Sequence, residues 1–484
     1  MNRAIGRVGK AVVVLMLVLV GMLTYWQVVD AENLRNNRLN VRGALADINE
    51  PRGPIVTADG VVVAQSKRVN DNTEFDFQRS YPQGELYQQV VGYQSFLIGN
   101  TGVEQTYNDE LVGRDPELRI RNITSAFDEE PTGTVVLSIR DDLQQEAKRA
   151  LGGQRGSVVA IDPQTGEILA MYSNPSYDPS PLVSHDSKVV RETNTALAAN
   201  PDKPDLARAY RERYPPGSTF KTVTASVAIE TGKSSPATVY PQLSELPLPL
   251  TNDVLRNFGN QTCGGTLAES FRQSCNTTFA RIGLDLGDQF VPGMAKFGVG
   301  AAPPIDIVPD AAVSTGPSPG TFQADQPKFA SAGIGQNPVA TTPLQMALVA
   351  AGLANGGVIM RPHVVKEIRD AKDHPVRNID DREWMTAVSP ATAAAVTAMM
   401  ITVVQSGTGT AAQIPGVTVA GKTGTAQVDT GSPHAWFVCF APAENPEIAI
   451  AVIVEHGGSF GSEATGGEVA APIAAAVLRA YLGR

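Results

Sequence analysis

The amino-terminal apolar run decides where the rest of this chain can fold. Arg3, Arg7 and Lys10 precede a mostly apolar run from Ala11 to Val29. A run of about 20 such residues is long enough to cross a bilayer as a helix, and cations before it favour a cytoplasmic N-terminus. The alternative is a signal peptide cleaved near residues 29–31, although its apolar core would be unusually long. Both interpretations place everything after residue 31 outside the cytoplasm.

The composition argues against several classes of function. A net charge of -10 is unfavourable for a general nucleic-acid binder, which needs a basic face. The five histidines never stand at metal-ligand spacing, so we expect no metal site and no cofactor. Three cysteines are too few for a disulfide framework. Cys263 and Cys275 could form one disulfide in an exported domain, or could be two small buried apolar residues.

The chain divides into three predicted segments. Residues 1–33 form a cytoplasmic tail and transmembrane anchor, residues 34–133 a non-catalytic module, and residues 134–484 a catalytic domain. The module is polar, with a turn cluster at Pro51–Pro54 and short alternating stretches that predict strands at Gly60–Gln65 and Leu118–Ile123. Because it contains no nucleophile motif or phosphate loop, we expect a pedestal or dimerisation-like module.

The third segment predicts an α+β domain. Strand patterns lie near its two ends and helical patterns lie between and after them, while residues 205–405 contain mostly helices and loops. This order favours one antiparallel sheet with helices packed on its faces. The predicted strands are Ser157–Ile161, Glu167–Tyr172, Val417–Val428, Ala435–Phe440 and Ile448–Val454, and the predicted helices are Asp141–Leu151, Val339–Asn355, Pro390–Gln405 and Val469–Leu482.

The strongest chemical signal is Ser218, followed three residues later by Lys221. Pro and Gly residues precede it, and the pattern predicts a helix over Thr219–Glu230 that begins at Ser218. Residues three apart share a helix face, so the lysine amine can take the proton of the serine hydroxyl and activate it as a nucleophile. The helix N-terminus would also favour an oxyanion. The ordinary explanation is an N-cap serine and a solvated lysine.

Two further polar motifs follow along the chain. Ser274-Cys275-Asn276 lies in a predicted helical stretch, Leu267–Leu286, and its serine and amide can face one cleft where a helix begins or breaks. Gly421–Thr425 lies in a strand pattern, where glycine lets a ligand approach the backbone and the lysine and threonines can bind a carboxylate. Taken singly, these motifs are explained by a helix boundary and by a lysine that protects an edge strand.

Together the motifs carry a family resemblance. Ser-x-x-Lys, Ser-x-Asn and Lys-Thr-Gly, in this order in one exported domain, resemble those of the penicillin-recognising serine enzymes. Arg52-Gly53 and Gly102-Val103-Glu104 resemble the amino-terminal module of the class B, monofunctional penicillin-binding proteins, and the likeness is greatest to an actinobacterial member. The resemblance covers nearly the whole chain after the anchor and includes Gly156–Met171, Thr342–Ala347, His434–Phe437 and Ala470–Pro472.

The resemblance implies a fold and an activity. The fold is the penicillin-binding transpeptidase fold, a five-stranded antiparallel sheet with helices on both faces. The activity is D,D-transpeptidation, in which stem peptides of peptidoglycan are cross-linked through a serine acyl-enzyme that β-lactams also form. The implied location is a single-pass anchor in the cytoplasmic membrane with the catalytic domain outside. Cell-wall or division proteins are further implied partners, and nucleic acid is not.

The resemblance also assigns catalytic roles. Ser218 would attack the carbonyl of the penultimate D-Ala, with Lys221 as the base. Ser274 would relay a proton toward the leaving amine, and Asn276 would hold the amide of the substrate. Lys422 would set the electrostatics around Ser274.

The substrate-binding roles fall on the strand motif. Thr423 and Thr425 would bind the carboxylate of the substrate, and Gly424 lies between them on the same strand. Backbone N–H groups of Ser218 and Thr425 would form the oxyanion hole.

Three alternatives share parts of this pattern. A class A β-lactamase needs a glutamate between the second and third motifs that is followed four positions later by asparagine, and neither Glu367 nor Glu383 meets this requirement. A D,D-carboxypeptidase differs only in using water as the acceptor, and the class B module favours transpeptidation. A non-enzymatic β-lactam sensor would need several spans or a cytosolic effector, whereas only about ten residues precede this apolar run.

Overall fold

The computed structural model describes residues 2–31, 48–69, 75–122, 132–428, 430–463 and 465–484. Its first element, α1 (Asn2–Thr24), continues as a π-helical turn over Tyr25–Val29. An 18-residue window within the span Gly6–Val29 has a mean hydropathy of 2.3, and none of it is buried against the rest of the protein. A helix that is apolar all round and unburied is suited to lipid. Among the described residues it is the one helix long and apolar enough to cross a membrane.

The strands and helices are numbered in chain order. The strands are β1 (Ile55–Val56), β2 (Val62–Arg68), β3 (Phe77–Ser80), β4 (Gln94–Ser95), β5 (Gly99–Asn100), β6 (Thr134–Leu137), β7 (Gly156–Ile161), β8 (Ile168–Asn174), β9 (Val239–Leu243), β10 (Glu245–Pro247), β11 (Val254–Arg256), β12 (Cys263–Thr266), β13 (Val358–Met360), β14 (Val365–Arg369), β15 (Pro375–Asn378), β16 (Glu383–Thr386), β17 (Ala420–Ala426), β18 (His434–Ala441) and β19 (Ile448–Val454). The helices after α1 are α2 (Gly84–Val91), α3 (Gly102–Thr106), α4 (Asn108–Leu111), α5 (Pro116–Asn122), α6 (Asp141–Leu151), α7 (Ser187–Ala199), α8 (Arg208–Arg211), α9 (Lys221–Glu230), α10 (Leu267–Arg272), α11 (Asn276–Leu286), α12 (Phe290–Ala295), α13 (Gln326–Gly333), α14 (Pro343–Ala354), α15 (Pro390–Ser406) and α16 (Ala470–Leu482).

The central sheet has five antiparallel strands in the order β17-β18-β19-β7-β8, which confirms the predicted α+β fold. All residues of β18 and β19 are buried, as is typical of strands covered on both faces. On one side α16 packs against α6, β18 and β19, while α14 packs on β19 and β7 and α15 packs on β17. The sheet is therefore packed against helices from the beginning, the middle and the end of the segment that follows residue 134.

A second sheet joins the amino-terminal module to the catalytic domain. Its order is β15-β14-β6-β1-β2-β3, and β1 pairs with β6 in parallel through Ile55 with Val135 and Val56 with Val136. The predicted division at residues 133 and 134 therefore lies at a strand that hydrogen-bonds to both sides. The predicted boundary between residues 33 and 34 falls outside the described residues, and the division into three segments stays a prediction.

Three local predictions differ from the structure. The stretch from Leu118 lies in the helix α5, because an alternation over so few residues does not distinguish a strand from one helical turn. Residues 205–405 contain eight short strands, β9 to β16, besides the predicted helices. The stretch Leu267–Leu286 is two helices, α10 and α11, with a break at residues 273–275.

The amino-terminal module is organised around one buried carboxylate. Glu104 Oε2 accepts from Arg52 Nε at 2.7 Å, and its Oε1 accepts from Arg79 Nε at 2.7 Å and from the Tyr81 hydroxyl at 3.1 Å. The side chains of Glu104 and both arginines are at most 2 % exposed. Burial alone would raise the pKa of Glu104, but Arg79 and Arg52 hold it below its ordinary value. The carboxylate is therefore the counter-charge for two buried guanidinium groups.

We expect Glu104→Gln to destabilise the protein by about 3–5 kcal/mol, because it leaves buried positive charge uncompensated while the side-chain volume is kept. Urea unfolding of wild type and variant, both lacking residues 1–33, measures the difference. Glu146→Gln is the matched control, since it removes a pair with Arg149, whose side chain is 72 % exposed, so that solvent screens the interaction. Equal stabilities of Glu104→Gln and the control would contradict this prediction.

Candidate active site

Ser218 lies in a tight turn at the start of a buried helix. Residues Gly217–Phe220 form a 3-10 turn that runs directly into α9, and side chains three residues apart in such a turn are aligned. Gly217 has φ 54°, a left-handed conformation that favours glycine. The indole N–H of Trp436 donates to the carbonyl of Pro215 at 3.0 Å. The half-buried Ser218 therefore stands on a turn fixed to the central sheet.

The strand motif lies directly against this turn. β17 is an edge strand, so one of its sides is unpaired within the sheet. A Cβ on Gly424 would lie 2.8 Å from the carbonyl oxygen of Pro216 and 3.1 Å from the backbone nitrogen of Thr219. A Cβ on Gly217 would lie 2.7 Å from the carbonyl oxygen of Thr425. The two glycines thus permit a backbone contact that brings Ser218 beside Thr425.

The second motif occupies the break between α10 and α11. Ser274 has φ 61°, which interrupts the predicted continuous helix, and Asn276 is the first residue of α11. Cys275, which lies between these two residues, forms a disulfide with Cys263, and their Sγ atoms are 2.10 Å apart. The sequence left open whether the two cysteines are bonded or are separate buried residues, and the structure shows the bond. The disulfide ties the break to β12, and Ser274 and Asn276 face the same side, since Lys221 Nζ contacts both side chains.

Two buried lysines meet at Ser274. Lys422 Nζ donates to Ser274 Oγ at 2.9 Å, and Lys221 Nζ lies 3.3 Å from the same oxygen. Lys221 Nζ also donates to the carbonyl of Ser274 at 2.6 Å and to Asn276 Oδ1 at 2.8 Å. Both lysine side chains are 0 % exposed. All three motifs are thus brought to one cleft, with Ser274 at the centre of the hydrogen bonds.

The two lysines have lowered pKa values. Burial, and secondly the positive charge of Lys422, hold the pKa of Lys221 well below its usual range. Burial lowers the pKa of Lys422 to about 7. Neither side chain behaves as the solvated surface lysine of the ordinary explanation. The site can therefore hold a neutral amine near neutral pH, which is the form that can accept a proton.

One residue beside the motifs was not predicted from the sequence. The hydroxyl of Thr408 is 2.5 Å from the hydroxyl of Thr423, and one of them donates to the other. Fifteen residues separate them, so no local pattern links the two. Thr408 follows α15 and extends the row of hydroxyl groups along β17.

The two glutamates that the sequence places between the second and third motifs lie outside this cleft. Glu367 on β14 pairs with Arg369, and Glu383 on β16 accepts from the Thr386 hydroxyl. Neither glutamate belongs to the network of lysines and serine. Among the described ranges, no group of three or more His, Cys, Asp or Glu side chains is arranged to hold a metal ion.

Comparison with protein families gives two matches along the chain. Residues 156–479 match the penicillin-binding protein transpeptidase domain, which accounts for more than half of the chain. The chain belongs to the penicillin-binding protein transpeptidase family. Residues 52–136 match the penicillin-binding protein A dimerisation domain. This second match ends in β6, the strand that pairs with β1 on one side and with β14 on the other.

Individual penicillin-binding proteins are similar over most of the chain. Peptidoglycan D,D-transpeptidase PbpA of Mycolicibacterium smegmatis is 39% identical, with 100% of this chain and 99% of the relative covered. PbpA of Mycobacterium tuberculosis is 37% identical, with the same coverage. The penicillin G acyl-enzyme complex of penicillin-binding protein A from M. tuberculosis superposes with a TM-score of 0.81 at 36% identity, covering 90% of this chain and 100% of that one. The predicted recognition of the family is confirmed.

The lysine pair predicts a specific pH dependence of acylation by a fluorescent penicillin. The rate should rise with pH as Lys221 loses its proton and fall above about pH 7 as Lys422 loses its own. Lys221→Arg should lower the rate about 10²–10⁴-fold, because a guanidinium cannot act as the base. Lys422→Arg stays charged, so it should be milder and should lose the falling limb.

Second-order rate constants measured from pH 5 to pH 10, with folding checked by thermal melting, decide this prediction. A Lys221→Arg variant that acylates at nearly the wild-type rate would show that Lys221 is not the base.

The disulfide predicts a thiol count. Under denaturing, non-reducing conditions one thiol should react with a chromogenic disulfide reagent, because Cys439 is the free cysteine. After reduction all three cysteines should react. Cys439→Ala should give no reactive thiol before reduction. Three reactive thiols in the unreduced wild type would refute the bond.

Proposed function

We propose that this protein is a membrane-anchored peptidoglycan D,D-transpeptidase that β-lactams acylate. The observation that carries the proposal is the convergence of two buried lysines with lowered pKa values on Ser274, beside the turn that holds Ser218. Relatives similar along the whole chain are named peptidoglycan D,D-transpeptidases, and structures of one relative are β-lactam acyl-enzyme complexes. Fold, site and relatives therefore support the same reaction.

In the first half-reaction, Ser218 Oγ adds to the carbonyl carbon of the penultimate D-Ala. Neutral Lys221 accepts the hydroxyl proton, and the new bond joins Oγ to that carbon. The peptide C–N bond then breaks, and the terminal D-Ala leaves as an amine that must gain a proton. Ser274 is placed to supply it, because its hydroxyl contacts both Lys221 and Lys422: it gives its own proton to the amine and takes in return the proton that Lys221 accepted from Ser218. The product is an ester on Ser218.

The strand motif binds the charged parts of the reacting peptide. The N–H groups of Ser218 and Thr425 donate to the oxyanion, which the close approach of Gly217 to Thr425 allows. Thr423 and Thr425 offer hydroxyl groups to the terminal carboxylate, and Gly424 keeps the strand surface low between them. Protonated Lys422, whose amine bonds to Ser274 Oγ, adds a positive charge to the cleft.

In the second half-reaction, the amino group of another stem peptide attacks the ester carbonyl. The ester C–O bond breaks as the new amide bond forms, and Ser218 recovers its proton. A β-lactam enters the first half-reaction in the same way, but its ring-opened leaving group stays attached. The resulting ester blocks the acceptor amine.

The apolar helix supports an anchor in the cytoplasmic membrane. The side chains of Gly6–Val29 are unburied, and the cations Arg3, Arg7 and Lys10 at the amino-terminal end of the helix favour an N-terminus inside and a catalytic domain outside. Peptidoglycan precursors and cross-linked strands lie on that outer side. The amino-terminal module, residues 34–133, then serves as a non-catalytic pedestal, and cell-wall or division proteins are candidate partners for it.

The proposal predicts a stable penicillin ester on Ser218. Protein lacking residues 1–33 should remain soluble and should gain the mass of one penicillin G molecule, located on the peptide that contains Ser218. Ser218→Ala should gain none. Ser226→Ala is the matched control, because Ser226 is buried on the same helix with its hydroxyl bonded to the Thr222 carbonyl, and this variant should still form the ester.

Intact-mass spectrometry before and after digestion measures the ester. Rapid recovery of unmodified protein would instead indicate a β-lactamase. A transpeptidase should also convert a donor stem peptide and an added D-amino acid into the exchanged peptide, whereas a carboxypeptidase would release only the shortened peptide.

A further inference from the structure

Both polar atoms of the Asn276 side-chain amide form hydrogen bonds. Its Oδ1 accepts from Lys221 Nζ at 2.8 Å, and its Nδ2 donates to the backbone carbonyl of Arg256 at 3.0 Å. A lysine amine that donates and a carbonyl that accepts fix which end of the amide points each way. Since Nδ2 carries two hydrogens, one N–H remains for a ligand. The Arg256 carbonyl thereby sets the direction of the second N–H.

The Arg256 carbonyl is at the end of a short hairpin. β10 and β11 have three residues each, and an isolated pair of this length is not stable by itself. The next residue, Asn257, is only 6 % exposed, and its Nδ2 donates to the carbonyls of Leu243 at 2.7 Å and Gln261 at 2.9 Å. These bonds fix the residue that follows the carbonyl, and the pairing of β10 with β11 holds the residues before it.

Asn257 also reaches the helix that carries Asn276. The N-cap of α11 is Cys275, whose side chain makes no capping hydrogen bond. The first N–H groups of a helix need partners from outside it, and Asn257 Oδ1 accepts from the backbone N–H of Thr277 at 3.0 Å. One buried amide thus joins the end of the hairpin to the start of the helix. The Arg256 carbonyl and Asn276 cannot separate without breaking these bonds.

We propose that Asn257 is a positioning residue that orients Asn276 toward the side-chain amide of the peptide or β-lactam. The proposal rests on the proposed function. Asn257 acts by holding the Arg256 carbonyl against Asn276 Nδ2, so its removal should affect ligands that present an amide carbonyl next to the reacting bond. The acylation rates of ligands without that carbonyl should change little when Asn257 is removed. This selectivity separates positioning from a general contribution to stability.

The test compares two penicillins that share the ring and the carboxylate. Penicillin G has a side-chain amide carbonyl, and 6-aminopenicillanic acid has a free amine in its place. Asn257→Ala should lower the second-order acylation rate of penicillin G by about 3- to 10-fold, the worth of one lost hydrogen bond. The rate with 6-aminopenicillanic acid should stay within about 2-fold of wild type. Asn355→Ala, which removes another half-buried bond from an asparagine to a carbonyl, should not change the ratio of the two rates.

A double-mutant cycle shows whether the effect passes through Asn276. In an Asn276→Ala background, Asn257→Ala should leave the ratio unchanged, because the group that it orients is missing. If Asn257→Ala does not fold, Asn257→Asp keeps an acceptor for the Thr277 N–H and should give an intermediate ratio. Equal losses with both penicillins, no loss with either, or additive effects in the cycle would overturn the proposal. A wild type that forms no ester on Ser218 would overturn the proposed function instead.

Discussion

Two lysine amines beside one serine hydroxyl are the constraint on which the site depends. Lys221 and Lys422 both lie within 3.3 Å of Ser274 Oγ, and both are shielded from water. Two positive charges so close together repel strongly in a poorly solvated site. Charging both amines at once is therefore unfavourable, in agreement with the lowered pKa values of both lysines. The proposed roles of Lys221 as base and Lys422 as electrostatic anchor depend on this repulsion and on the different positions of the two side chains.

The spacing of the two lysines and Ser274 requires that the elements that carry them do not move relative to one another. Lys221 begins α9, whose residues from Lys221 to Ala228 are buried, and Lys422 lies on β17 at the edge of the central sheet. Ser274 sits on a backbone break braced by the disulfide between Cys263 and Cys275. The site therefore joins three elements that are far apart in sequence, and the packed core keeps their spacing.

The sequence predicts the parts of this arrangement that depend on local pattern. The buried runs of β7, β18 and β19 and the three motifs are visible because each is a continuous stretch of suitable residues. The break at Ser274 is not, because Leu267–Leu286 has a helical pattern and the residues that contact Ser274 at the break, Lys221 and Lys422, are distant in sequence. The partners Thr408 and Asn257 were missed for the same reason. Each contacts residues that are distant in sequence, and such contacts leave no periodic pattern in the sequence.

Hydrogen bonds join the amino-terminal module to the catalytic domain. β1 pairs in parallel with β6, the Tyr107 hydroxyl donates to Asp306 at 2.7 Å, and the backbone N–H of Gly102 donates to the carbonyl of Val308 at 2.9 Å. Backbone pairing of this kind resists hinge motion better than a flexible linker does. The module and the cleft at Ser218 are therefore tied together by backbone pairing and by side-chain hydrogen bonds, and not by a single stretch of chain.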